Sequence, residues 1–429
     1  MTTTSSHTSV VQNTSHKVVL PFYAYAALSF LAATVLLFFS TSAFTQHYFH
    51  PQTLAVTHTM ALGWGTMMIF GAGYQLFPVL IEARLYSNRL AGFTFVLAGA
   101  GIPLLVYAFL TFQFDWPAMA GAILVNAAVL CFFINLTISF ARSKSQNVHA
   151  LFVLTSVFWL FLTTLVGLVL VLNFTRTILA NDSLHYLSLH AHLGIVGWFL
   201  LLVMGVGSRL LPMFLISKYD QPKTLWQIYY LVNGSLLLFV VLFVISHSVL
   251  LFALPVLLLF ASILLFVCYC RNTYRQRLRR QVDEAVKISL LSVAMMGLPL
   301  LMLAILLVAL LTAAKDARLV LAYGFSVFFG WLTAIILGMT FKTLPFIVWN
   351  KVYFPLASTG KTPNPKDLFS LRLFNSMGVV YLLGFVLFLV GIFTANHLLL
   401  QLATVLLVTT SVLYNVNTAK LLLHKPTVS

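Results

Sequence analysis

Twelve apolar stretches, each about twenty residues or longer, take up most of this 429-residue chain. A stretch of that length crosses a bilayer as a helix. The bilayer admits only structures that satisfy their own backbone hydrogen bonds, so the choice of fold is narrow. The runs lie near 18–43, 52–80, 89–112, 117–141, 150–174, 186–213, 225–246, 248–270, 285–313, 319–348, 371–395 and 398–423. With 61% hydrophobic and 7% charged residues, the chain is no ordinary soluble domain. The expectation is an all-α polytopic membrane bundle of about twelve transmembrane helices.

A skeleton of four landmarks occurs three times at fixed offsets. It reads Gly63-Trp64, Gly71, Pro78, then Gly197-Trp198, Gly205, Pro212, then Gly330-Trp331, Gly338, Pro345. The Trp residues stand 134 and 133 positions apart, a period near one third of the chain. Three quasi-equivalent four-helix repeats follow, about 18–141, 150–270 and 285–424, in one membrane domain (18–424) behind a disordered tail (1–17). The marked helices are the second, sixth and tenth. Glycine on such a helix allows close approach of a neighbour, and proline near its end kinks or stops it. The Trp is expected to wedge between bundles. Eleven residues beyond each Trp stand Gln75, Arg209 and Lys342, polar in all three copies, which predicts a shared inner vestibule. Snorkelling to the headgroups is the rival account of Arg209 and Lys342.

The net charge is +16, and its distribution follows topology. Arg84 and Arg89, Arg142 and Lys144, Lys218 and Lys223, the run from Arg271 to Arg280, and Lys351 to Arg372 fall in alternate loops. The intervening loops hold Asp115 and Asp182 among few charges, with Lys315 and Arg318 the exception. By the positive-inside rule both termini are cytoplasmic, in a multi-pass protein of the bacterial cytoplasmic (inner) membrane. The excess charge then serves topology and attraction to anionic membrane lipid, and no nucleic-acid partner is implied. The first apolar run is too long for a signal peptide and lacks a basic flank before it. Three cysteines give no disulfide framework. Cys131 lies inside the fourth helix, and Cys268 and Cys270 read either as a metal-binding C-x-C or as buried thiols.

His58 and His192 each stand six residues before a repeat Trp, where the third copy has Phe325. The scaffold therefore does not require histidine there. Topology puts His58, His190 and His192 in the outer third of their helices. A histidine inside a bilayer is costly, and it takes a metal, a heme or a neighbouring carbonyl as partner. His190 and His192 point about 200° apart on a helix, so they address opposite flanks. Gly194 and Gly197 either let a flat macrocycle lie against that helix or serve helix packing. His247 either joins His190 in a metal site or lies at the water boundary. His47, His50 and His185 stand at helix entrances, as partners for cofactor propionates or as interfacial residues. No role attaches to His7, His16, His149, His397 or His424. All eight acidic residues fall in loops or at helix ends, so no carboxylate stands mid-membrane as a proton relay. Neither a P-loop nor a Ser/His/Asp constellation is present, which argues against hydrolytic chemistry.

Two stretches carry a resemblance to subunit I of the heme–copper oxidase superfamily. His58-Thr59-Met60 through Tyr74-Gln75-Leu76-Phe77-Pro78 is similar to that family's second helix, whose histidine ligates the low-spin heme. His190-Ala191-His192-Leu193-Gly194 through Gly197-Trp198 resembles the His-x-His helix of C-type oxidases and nitric-oxide reductases. The resemblance implies His58 and His192 as axial ligands of a low-spin heme, and His190 as ligand of a second heme or of copper. It departs from the family in placing His-x-His on the sixth helix, not the tenth, which holds Tyr323 and Ser326. It also lacks the adjacent His-His pair of the copper site, with His247 alone nearby, and no Tyr follows His190 or His192 by four residues. The implied function is a heme b membrane oxidoreductase or electron-transfer protein acting with oxygen or nitric oxide, with cytochrome c or quinol as donor. A non-catalytic heme or gas-handling protein of the nitric-oxide response is the second reading, and a transporter the third.

Overall fold

The computed structural model describes residues 14–246, 248–314, 316–356 and 362–426. Among them 83% are helical and no strand occurs. Extended pairing is confined to one bridge between Ser217 and Arg277. Twelve long helices result: α1 (His16–Phe39), α2 (51–80), α3 (Asn88–Thr111), α4 (Trp116–Ala141), α5 (Val148–Arg176), α6 (Leu187–Leu215), α7 (Pro222–Ile245), α8 (Val249–Arg275), α9 (Glu284–Leu311), α10 (Ala317–Val352), α11 (Leu371–Thr394) and α12 (His397–Leu422). Eleven are long and apolar enough to cross a membrane. The twelfth, α2, runs unbroken over 51–80 but falls outside that set, because Gly63, Gly65, Gly71, Gly73 and Gln75 dilute its apolar character. This is a multi-pass membrane protein.

The sequence sets the helix limits through local chemistry. The Ser87 hydroxyl accepts from Leu90 N at 3.1 Å, Asn147 Oδ1 from Ala150 N at 3.0 Å and Asn396 Oδ1 from Leu399 N at 3.1 Å. Each satisfies an amide that a helix start leaves without a partner. Pro51, Pro117 and Pro222 occupy first-turn positions, where a missing N–H costs nothing. The first helix starts two residues earlier than the expected tail boundary. Thr14 is buried and donates to the Tyr74 carbonyl at 2.6 Å, so the end of the expected tail is tied to α2. Residues 1–13, His7 among them, lie outside the described residues.

The main apolar core extends from Val19 to Leu421, and a smaller cluster that includes Leu54, Phe109, Ala118 and Val171 forms a second. First and last helices close it upon themselves: Asn415 Nδ2 donates to the Ala27 carbonyl at 2.8 Å, and Thr34 shares a 2.8 Å bond with Ser411. With twelve long helices in the bundle, residues 14 and 426 come to the same face, called here the terminal face. His424 Nε2 lies there, 2.9 Å from the Tyr353 hydroxyl.

The marked helices α2, α6 and α10 share a departure from regular geometry. Each widens into a π-helical segment around its Trp, over Thr59–Thr66, Leu193–Leu200 and Ser326–Leu332. The indoles do wedge between helices: Trp64 Nε1 donates to Thr333 at 3.2 Å and Trp198 Nε1 to Thr66 at 3.1 Å. Those hydroxyls pass the bond on to carbonyls five residues back, Phe328 at 2.6 Å and Ala61 at 2.8 Å. The position equivalent to Thr66 and Thr333 is Leu200 in α6. It has no hydroxyl, and Trp331 Nε1 is buried with no partner. Gly65, Phe199 and Leu332, again equivalent in the three copies, meet one another. A Cβ built on Gly65 would lie 2.9 Å from Phe199 and 3.1 Å from Leu332, so a larger residue there would push these side chains aside.

Candidate functional site

His58, His190 and His192 lie within the first three turns of α2 and the first two of α6, toward the face opposite the termini. All three hold their rings in one way. His58 Nδ1 lies 2.8 Å from the Leu54 carbonyl, His190 Nδ1 3.1 Å from the Thr163 carbonyl, and His192 Nδ1 2.7 Å from the Ser188 carbonyl. A carbonyl only accepts, so Nδ1 carries the proton and Nε2 keeps its lone pair. This is the outer bond that fixes the tautomer and aim of a metal-ligating imidazole.

The two sides of α6 differ. His190 faces α2 and α5, with its ring centroid 6.3 Å from that of His58 and the planes 19° apart. Gly167 of α5 makes the room: a Cβ there would stand 3.0 Å from His190 Cε1. Phe109 of α3 stacks on His58 at 4.2 Å. His192 turns away, between Phe239 of α7 at 5.2 Å and Tyr323 of α10 at 5.9 Å. Its Nε2 is buried without a partner, as are Ser326 Oγ and Trp331 Nε1 on the facing helix.

The expectation that His190 and His192 address opposite flanks matches this geometry. The expected partnership of His58 with His192 does not. His58 meets His190, because α2 packs on the α5 side of α6, while the repeat-equivalent His192 is carried round to α10. Gly197 serves helix packing, since a Cβ there would be 2.6 Å from Trp159 Cβ of α5. Gly194 lies similarly close to Thr163, at 3.3 Å. His247 lies outside the described residues. His50 caps α2 by accepting from Gln52 N at 3.3 Å, and His47 accepts from Phe49 N at 3.1 Å. His185 rests against Tyr186 and Phe243. Cys268 is exposed and Cys270 buried, so they face different surroundings. Among the described residues no group of three or more His, Cys, Asp or Glu converges. A metal here would draw at most two protein nitrogens from the His58–His190 pair and one from His192.

Phe109, Thr163 and Gly167 complete the pair's surroundings and had no role in the sequence reading. Thr163 acts through its backbone oxygen, which leaves no mark on the sequence. Gly167 does leave one, as the single glycine of α5. At the terminal end of the same central helices lies a cavity of 1390 Å³, lined by Gln75 and Lys342 but not by Arg209, which is exposed. The vestibule is therefore shared by two of the three equivalent polar positions, and snorkelling is left to Arg209. Neither protein-family models nor the curated proteins contain a match to this chain.

Proposed function

We propose that the protein is a membrane redox protein that holds a b-type heme between His58 and His190. The observation that carries this reading is the pair itself: two imidazoles with Nδ1 tied to carbonyls and Nε2 free, 6.3 Å between centroids. Metal–nitrogen bonds of about 2 Å on each side of one ion would hold two ring centroids about 6 Å apart. A bare structural zinc or calcium ion requires four or more ligands. A porphyrin iron brings four nitrogens of its own and takes its axial ligands from the protein, which suits a site with two imidazoles and no third group. Both residues are half-buried. No Cys-x-x-Cys-His occurs, so attachment is non-covalent.

Such a heme supplies one-electron transfer at a potential set by ligation and burial. Held by His58 and His190, such a heme would carry electrons, with cytochrome c or quinol as the donor class. Chemistry on oxygen or nitric oxide requires an open coordination position, and His192 is the residue suited to a second heme or copper. Its Nε2 is free and buried beside Tyr323. We further read the chain as three quasi-equivalent four-helix units. The π-helical segments and the indole–threonine bonds recurring at equivalent positions support that reading. The basic loops of the terminal face support reading that face as cytoplasmic, in a bacterial inner-membrane protein. The test is the visible spectrum of protein purified from heme-replete cells. A redox-sensitive Soret band with the pyridine hemochrome of heme b is expected, and a colourless protein refutes the proposal.

A further inference from the structure

The 1390 Å³ cavity has an apolar shaft and a charged rim, and its chemistry is independent of the histidines. Met68, Ile69, Leu202, Val203, Leu332 and Ile336 line its depth. Leu332, which lies against Gly65, is the deepest of these along α10. Toward the terminal face stand Gln75, Arg279, Asp283 and Lys342. Leu332 and Lys342 are ten residues apart on α10, so floor and rim are separated by about 15 Å.

The charged lining residues are three cations (Arg279, Lys342, Lys366) and three anions (Asp283, Glu284, Asp367), but they are unevenly paired. Lys342 Nζ and the Arg279 guanidinium both approach one oxygen of Asp283, Oδ2, at 2.5 and 3.6 Å. The other oxygen, Oδ1, accepts from Val286 N at 3.0 Å as the cap of α9. Glu284 is engaged by Lys287 at 2.7 Å, and Lys366 and Asp367 offset one another in charge. At Asp283, two cations thus share one carboxylate oxygen, and Lys342 is only 19% exposed. A cation drawn out of water is stabilised by an anion brought to it. The shaft beneath it favours hydrocarbon over water, since a water needs two to four polar partners.

We propose that this cavity binds an amphiphile with a monoanionic head and an acyl tail, the head at Lys342 and Arg279 and the tail between α2, α6 and α10. A free long-chain carboxylate and an anionic phospholipid share this chemistry. The test uses the full-length protein in phosphatidylcholine nanodiscs, with laurate and its uncharged analogue dodecanol as probes in native mass spectrometry and calorimetry. Laurate is expected to bind about tenfold more tightly than dodecanol, the effect of one charge-assisted contact. Lys342→Gln should abolish that preference. Asp283→Asn should increase it, because Asn still caps α9 while the competing carboxylate is gone. Opposite shifts in the two variants separate a site effect from misfolding. Equal binding of laurate and dodecanol, or a loss of laurate in both variants, overturns the proposal. Phosphatidylglycerol that displaces laurate identifies lipid as the source, and failure to displace identifies the free carboxylate. Either result keeps the head-group chemistry.

Discussion

His190 and His192 leave the same turn of α6, and the helix sends them to opposite flanks. On the α2 side, His190 finds a second imidazole, a glycine that makes space and a carbonyl that orients its ring. On the α10 side, His192 has the same kind of carbonyl anchor but no second histidine. It meets aromatic rings, and three unpaired polar atoms collect on these two helices: His192 Nε2, Ser326 Oγ and Trp331 Nε1. The first flank brings two imidazoles together. The second holds one. Identical residues at nearly identical depth thus acquire different chemistry from what the neighbouring helix presents.

The sharpest way to break this comparison is to remove the ligands singly. His58→Ala and His190→Ala should each abolish the six-coordinate low-spin spectrum, leaving a high-spin heme or none. His192→Phe should leave that spectrum intact, since His192 is not at the pair, and should alter only a second cofactor or the reaction with oxygen or nitric oxide. Optical and electron paramagnetic resonance spectra read both. If His192→Phe erases the low-spin signal while His190→Ala spares it, the pairing proposed here is wrong.

A smaller effect separates the two hydroxyl-bearing central helices from α6. Thr66→Val or Thr333→Val removes the acceptor for Trp198 or Trp64 and leaves a buried indole N–H without a partner. The expected loss is about 1–2 kcal/mol, given the modest worth of interhelical bonds in membranes and the cost of an orphaned donor. Leu200→Val should cost less, because Trp331 is already unpaired and no new orphan is created. Thermal unfolding of the three variants in detergent measures the ranking, and equal losses would remove any role for the indole bonds.

The smallest effect concerns the start of α10, the helix that brings Tyr323 to His192. Asp316 caps this helix and lies 3.1 Å from the Arg318 guanidinium. The bond from the Arg318 side chain holds the Asp316 carboxyl below its ordinary range. A carboxyl with a lowered folded pKa stabilises the fold above its unfolded pKa, and that contribution is lost as pH falls through the folded value. Amide exchange in the first turn of α10 should therefore rise only below the ordinary carboxylate range, and Asp316→Asn, which still caps, should flatten the dependence. The pair is exposed, so the change is slight. A rise near neutral pH would exclude Asp316 as the cause.

Much of this architecture is legible in the chain itself. Apolar runs longer than a bilayer is thick leave helices as the only outcome, and polar caps such as Ser87, Asn147 and Asp283 mark where they begin. The spacing of Trp64, Trp198 and Trp331 marks α2, α6 and α10 as equivalent helices, though that they meet is set by packing. The two-residue offset of His190 and His192 fixes their divergence through helical periodicity alone. Partnership across helices was not legible. Repeat equivalence pointed His58 toward His192, yet equivalent positions on neighbouring helices of a ring face in rotated directions, and packing carried His190 to His58 instead. The Thr163 carbonyl that orients His190 is backbone, so no residue type announces it. Lys342 and Asp283 lie 59 residues apart and join only when α9 and α10 pack side by side. Periodicity and polarity act along the chain and can be read from it. Which imidazole meets which, and which cations share a carboxylate, depends on rotations between helices that only the packed structure sets.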